Sequence, residues 1–217
     1  MFFALNGSKS TWLDSIMWLY SQGFIWLPMI IALCFLLIRR KRWRQWVPAL
    51  SSMLLVCLLG MIVSAFVFKP LFTRFRPVMH PDFMDDVKTV YGYVSSGLYG
   101  FISGHSAAAF GFAAFSALLF KNRFYTIVIC LWALIMAYSR IYLGVHFITD
   151  VIPGMLSGLL LGWLVYLFYK WWNRRLGNDI EPYIQDHTGR TFVWVMTVYL
   201  SLFPLFSPWV VSLMIHP

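Results

Sequence analysis

The 217-residue sequence predicts an all-α protein, a polytopic membrane helix bundle of about six transmembrane helices preceded by a short N-terminal interfacial segment. Three observations carry this. Apolar residues make up 60% of the chain and charged residues 12%, against roughly 25% charged in a soluble domain. Six separate apolar stretches approach or exceed the ~20 residues that span a bilayer core as a helix. The connections between them alternate in charge, as the loops of a multi-pass chain do.

In chain order, residues 1–15 hold Trp12 and end three residues before Trp18, a pair suited to headgroup depth, and are expected to form a small interfacial helix. The spans then fall at 16–38, 46–68, 102–120, 124–140, 147–169 and 191–214, the fourth of them short and ending in Ser139-Arg140. Pro28, Pro48, Pro153, Pro204 and Pro208 lie in or near these spans, where membrane helices tolerate proline. The fifth span carries Gly154, Gly158 and Gly162 at four-residue spacing, a stripe that lets a neighbouring helix approach closely. Segment 103–117 is similarly rich in small residues, which places its helix in the bundle interior. No composition shift marks a second domain, so residues 1–217 are expected to form one membrane domain. Cys34, Cys57 and Cys130 sit in apolar runs without metal-type spacing. The first residues lack the basic start of a cleaved signal peptide, and none is expected.

The net charge is +9, from 17 Lys and Arg against 8 Asp and Glu. A basic chain can signal nucleic-acid binding, but a mean hydropathy of +0.72 does not fit a hydrated cationic face. Loops 39–45, 121–123 and 170–190 together hold eleven cations, and the opposite side holds six: Lys9, Lys69, Arg74, Arg76, Lys88 and Arg140. The positive-inside rule assigns the eleven to the cytoplasm and turns both termini, loop 69–101 and loop 140–146 outward.

The informative polar residues cluster on that outward side. Lys69, Arg76 and Arg140 are cations near span ends with no acidic residue within five positions. Charge at membrane depth is costly and is rarely kept without a partner or a task. An anion is the missing partner, and a tetrahedral phosphate suits guanidinium groups, which bind its oxygens in pairs. Ser103-Gly104 opens a helix, so free N–H groups point to the same place, and Gly104 permits close approach. His105 stands in that first turn, where a neutral imidazole can act as a nucleophile. His146 and Asp150 are four residues apart, placing both on one helix face. A carboxylate on one ring nitrogen would fix the tautomer and raise the basicity of the other.

Each piece alone has a plain structural reading: a polar packing histidine, a helix-ending Arg-Pro, a chance His-x-x-x-Asp. As an ordered set they resemble the three signature motifs of the type 2 phosphatidic acid phosphatase family, membrane lipid phosphatases sharing a helical core with bacterial acid phosphatases and vanadium haloperoxidases. The family patterns are KxxxxxxRP, PSGH and SRxxxxxHxxxD, and this chain reads KPLFTRFRP at 69–77, ISGH at 102–105 and SRIYLGVHFITD at 139–150. The likeness covers about 69–165 and departs at Ile102, which replaces the family proline; altered loop stiffness is expected there, and no lost chemical group.

The resemblance implies a phosphatase acting on a lipid phosphate monoester or diphosphate in the bilayer, without metal or other cofactor. His105 would attack phosphorus and form a phosphohistidine. His146, oriented by Asp150, would protonate the leaving oxygen and then activate water. Lys69, Arg76, Arg140 and the Ser103 and Gly104 amides would hold the phosphoryl oxygens. Arg74 is left outside this site. The implied setting is a bacterial inner membrane with the site facing the periplasm or exterior, and undecaprenyl diphosphate, lipid A or phosphatidylglycerol phosphate as substrate. Competing readings are transfer of phosphate to a second lipid, a metal-dependent hydrolase with His105, His146 and Asp150 as ligands, and an anion transporter. Loop 78–101 is expected to govern substrate choice. Its His80, Asp82, Asp85 and Asp86 read either as a headgroup or ion contact or as a solvated loop.

Overall fold

The computed structural model describes residues 1–39, 42–94, 97–178 and 187–215. It is a helical bundle, and no strand occurs among the described residues. A four-residue helix α1 (Phe2–Leu5) and α2 (Thr11–Tyr20) replace the single interfacial helix expected over 1–15. Ser10 caps α2 by accepting from the Leu13 amide at 3.3 Å. The first expected span, 16–38, is therefore broken. After α2 the chain bends by 73° and continues through a 3-10 turn at Gly23–Trp26 into α3 (Leu27–Ile38), which has Pro28 in its first turn. Proline there forfeits no helical hydrogen bond. The crease is fixed by Trp26 Nε1 donating to the Tyr20 carbonyl at 3.1 Å and by the Trp26 ring stacking on Phe203 at 5.6 Å.

Helix α4 (Trp43–Ile62) runs on through a π-helical stretch, Val63–Phe68, into α5 (Lys69–Phe72). Then come α6 (Gly104–Phe120), α7 (Arg123–Tyr142), α8 (Ile148–Arg175) and α9 (His187–Ile215). Among the described residues, four helices are long and apolar enough to cross a membrane: 43–72, 123–142, 148–175 and 189–215. The bent pair supplies a fifth, and α6, with 17 residues, is shorter. The third expected span is thus the short one. The fourth is a full 20 residues and carries Ser139 and Arg140 in its last turns. The outer faces are apolar and open, as lipid-facing surfaces are, with Phe66 77% and Leu205 72% exposed.

The core is α6 held between α4 and α8. A Cβ on Gly162 would stand 2.6 Å from the Gly111 carbonyl, one on Gly154 2.7 Å from the Ser103 carbonyl, and one on Gly60 2.8 Å from the Ala108 amide nitrogen. Only glycine fits backbones that close, so the stripe on α8 is an internal packing face. The same approach ties the first turn of α8 to the first turn of α6, where the polar motifs lie. Over the end of the bundle that holds the motifs runs an outer loop, 73–103, tied down by the N-terminal segment. Asn6 Nδ2 donates to the carbonyls of Lys88 and Tyr142, both at 3.0 Å, and its Oδ1 accepts from the Lys88 amide at 2.8 Å. Arg40 and Lys41 of the basic 39–45 run, Ser95 and Ser96 of the outer loop, and 179–186 of the 170–190 connection lie outside the described residues.

Candidate active site

All eight residues singled out by sequence come to one end of the bundle, from four separate stretches. Ser103 is fully buried and caps α6: its Oγ accepts from the Ser106 amide at 3.4 Å and from Ser106 Oγ at 2.9 Å. Its own amide donates to the Asp150 carbonyl at 3.0 Å, which joins the starts of α6 and α8. Gly104 is buried, and a Cβ there would meet Met61 and Ser64 at 3.2 Å. Ser64 Oγ in turn donates to the Ile102 carbonyl at 2.7 Å, so the π-helical stretch braces the turn that precedes the site. Ile102 itself is 1% exposed. His105, one residue on, faces outward and is exposed, while the charges of Arg140, Arg76 and Lys69 and the His146 ring all act on it.

Arg140 and Arg76 are buried guanidinium groups held by neutral partners. Arg140 Nη1 donates to the Tyr93 hydroxyl at 3.0 Å, and its Nε and Nη2 donate to Ser139 Oγ at 3.2 and 3.1 Å. Arg76 Nε donates to the Gly97 carbonyl at 2.9 Å, and its Nη1 donates to the Val145 carbonyl at 3.1 Å. Lys69 is half-buried at the junction of the π-helical stretch and α5. The charges of all three act on His105, so an anion is favoured beside it.

His146 follows α7 in a short loop and is 2% exposed. Arg76 Nη1 donates to its Nε2 at 3.0 Å. A guanidinium can only donate, so Nε2 carries a lone pair and the ring proton sits on Nδ1. Nδ1 lies 3.6 Å from Asp150 Oδ2, longer than a hydrogen bond, and makes no hydrogen bond among the described residues. Burial pushes the pKa of His146 down to about 4, with Arg76 and Arg140 adding to it and Asp150 opposing it. Asp150 is fully buried: Oδ2 accepts from the Phe147 amide at 2.9 Å, and Oδ1 accepts from Arg74 Nη1 at 3.1 Å.

Two participants escaped the sequence reading. Arg74, left outside the site, is ion-paired to Asp150. Its signal was present in Arg-Phe-Arg: in an extended stretch, residues two apart share a face. Tyr93 reaches Arg140 from the outer loop, and no spacing ties it to a partner 47 positions away. Loop 78–101 thus touches the site through Tyr93 and Gly97. Of its other polar residues, His80 stacks on Phe83 at 4.0 Å and lies 3.8 Å from Asp82. Asp82, Asp85 and Asp86 are exposed. A metal liganded by His105, His146 and Asp150 fits poorly, because both ring nitrogens of His146 and both oxygens of Asp150 face protein groups, three of them from arginine or backbone donors. The flanking arginines would also repel a divalent ion.

A family model described as the PAP2 superfamily matches residues 45–174, more than half of the chain and all three motifs. The sequence is 45% identical over 169 residues to a lipid A 4'-phosphatase of Porphyromonas gingivalis, covering 78% of this chain and 71% of that protein. It is 28% identical over 150 residues to an undecaprenyl-diphosphatase of Sulfolobus acidocaldarius, covering 68% of this chain and 64% of that one. The fold is similar to the crystal structure of Aquifex aeolicus LpxE, with a TM-score of 0.58, 26% identity, and coverage of 76% of this chain and 91% of that one. It is also similar to a transmembrane PAP2-type phosphatidylglycerolphosphate phosphatase of Bacillus subtilis, with a TM-score of 0.54, 28% identity, and coverage of 75% and 79%.

Proposed function

The chain belongs to the PAP2 superfamily, and on that premise we propose that it is an integral membrane lipid phosphatase working through a phosphohistidine on His105. The observation that carries this reading is the placement of one exposed histidine on the first turn of α6, between two buried arginines and a buried His–Asp pair. The whole chain, 1–217, works as one membrane domain around the signature core at 69–165.

In this reading the lipid phosphate is met by Lys69, Arg76 and Arg140, and the Gly104 amide completes the cradle, because the Ser103 amide expected there is committed to the Asp150 carbonyl. Arg76 turns from His146 to the phosphoryl oxygens, which are stronger acceptors for a guanidinium than a neutral ring nitrogen. The arriving negative charge also raises the basicity of His146, so Nε2 can hold a proton where the resting ring does not. His105 attacks phosphorus, the phosphorus–oxygen bond to the lipid breaks, and His146 passes its proton to the leaving oxygen. Water then attacks the phosphohistidine while His146 takes the proton back, and inorganic phosphate leaves. Fixed cations supply the electrostatic stabilisation a metal would otherwise give.

The 45% identity to a lipid A 4'-phosphatase favours lipid A as substrate. A lipid diphosphate is the second reading, favoured by the archaeal relative. The charge asymmetry of the loops supports a bacterial inner membrane setting with the site outward. Phosphate release from lipid A, undecaprenyl diphosphate and phosphatidylglycerol phosphate, in detergent with and without chelator, tests the assignment. Release from lipid A that ignores chelator is expected, with His105→Ala abolishing turnover while lipid binding persists. Loss of activity with chelator and recovery with zinc would overturn the mechanism.

A further inference from the structure

Asp150 needs a second partner besides the histidine it orients. The carboxylate is fully buried, and a buried anion is tolerated only when its charge is met. Oδ2 stands 3.6 Å from His146 Nδ1 and accepts from the Phe147 amide. Oδ1 accepts from Arg74 Nη1 at 3.1 Å. Arg74 is 39% exposed along its side chain and reaches inward over the Phe147 ring, 4.8 Å from guanidinium carbon to ring centre. It therefore stands at the rim of the site while its charge acts at the bottom.

The other groups around the pair are accounted for. Arg76 donates to His146 Nε2, and Arg140 adds positive charge from α7. Lys69, from the end of the 43–72 helix, acts with both arginines on His105 of α6, and Tyr93 of the outer loop acts on Arg76. Gly100 brings only backbone: a Cβ there would be 3.1 Å from Asp150 Oδ2 and 3.5 Å from His146 Nδ1.

We propose that Arg74 is a positioning residue for the His146–Asp150 pair, holding Oδ1 so that Oδ2 orients the imidazole and setting the pH at which the pair changes protonation. The inference rests on the phosphatase reading above. Removing a cation strengthens proton binding at every neighbouring group, so the acid–base limb of the pH profile must move alkaline whichever member of the pair it reports.

The test is the pH dependence of kcat/KM for phosphate release from lipid A in detergent, with wild type, Arg74→Gln, Arg74→Lys and Asp150→Asn. Arg74→Gln is expected to shift the limb alkaline by about one unit or more. It should also lower kcat by about tenfold, with KM little changed, a fraction of what general acid–base catalysis supplies. Arg74→Lys keeps the charge and should keep the limb while losing part of the rate. A wild-type limb in Arg74→Gln overturns the proposal, since a purely structural role lowers the rate without moving the profile. If Arg74→Gln does not fold, Arg74→Met takes its place: an alkaline shift of the limb supports the proposal, and a wild-type limb overturns it. Asp150→Asn separates the two readings. If it leaves rate and limb unchanged, the His–Asp assignment itself fails; if it changes them and Arg74→Gln does not, only the role of Arg74 fails.

Discussion

His146 illustrates how the resting site differs from the working one. Its Nε2, the atom that carries a proton to the leaving oxygen in the proposed mechanism, accepts from Arg76 instead. The ring is therefore neutral, and its value of about 4 lies below the ordinary 6.5. The folded site refuses a proton that an unfolded chain would take up between those values. Stability linked to His146 is thus present above about 6.5 and lost as pH falls toward 4. Two outcomes follow for the ligand-free protein. Nitrogen NMR of His146 at pH 6 should show a neutral ring protonated on Nδ1, and acidification should lower thermal stability less in His146→Gln than in wild type. At this scale the three motifs were legible, because spacing of Lys, Arg, Ser, His and Asp is written directly in the chain. Tyr93 was not, because its contact with Arg140 is made by a loop path that no local pattern encodes.

Among the elements, the stripe of Gly154, Gly158 and Gly162 does the most to place the chemistry. It lets α8 lie on α6 so closely that the first turns of the two helices share a hydrogen bond from Ser103 to Asp150. Gly162→Val should wedge them apart and cost ~1–3 kcal/mol or more, read as a drop in melting temperature together with lost turnover. Leu205→Ala, on the lipid face, should cost little. The stripe was readable from sequence because small residues at four-residue spacing fall on one helix face. The crease between α2 and α3 was not readable. In an apolar run a straight and a broken helix bury similar surface, and Gly23 and Pro28 are tolerated in either. The π-helical stretch before Lys69 was likewise invisible. Asn6 joins the N-terminal segment, the outer loop and the end of α7. Asn6→Ala strands buried backbone groups at a cost of about 1–3 kcal/mol, and faster protease cleavage within 82–91 is the expected sign.

For the molecule as a whole, the puzzle of a lipid-soluble chain with a charge of +9 resolves by position. Eleven cations fall on the side assigned inward, and six on the side where the site lies. Cysteines placed at Lys88 and at Lys121 should react with a membrane-impermeant thiol reagent from opposite sides of sealed spheroplasts, position 88 from outside. The reverse pattern would turn the site to the cytoplasm. The central claim is covalent chemistry at His105, and rapid acid-free quenching of the protein with phosphate-labelled lipid A tests it most directly. Peptide mapping should find label on His105 in wild type, more of it in Asp150→Asn if hydrolysis of the intermediate slows most, and none in His105→Ala. Turnover in wild type with no label on His105 at any quench time, or label on another residue, would contradict the account.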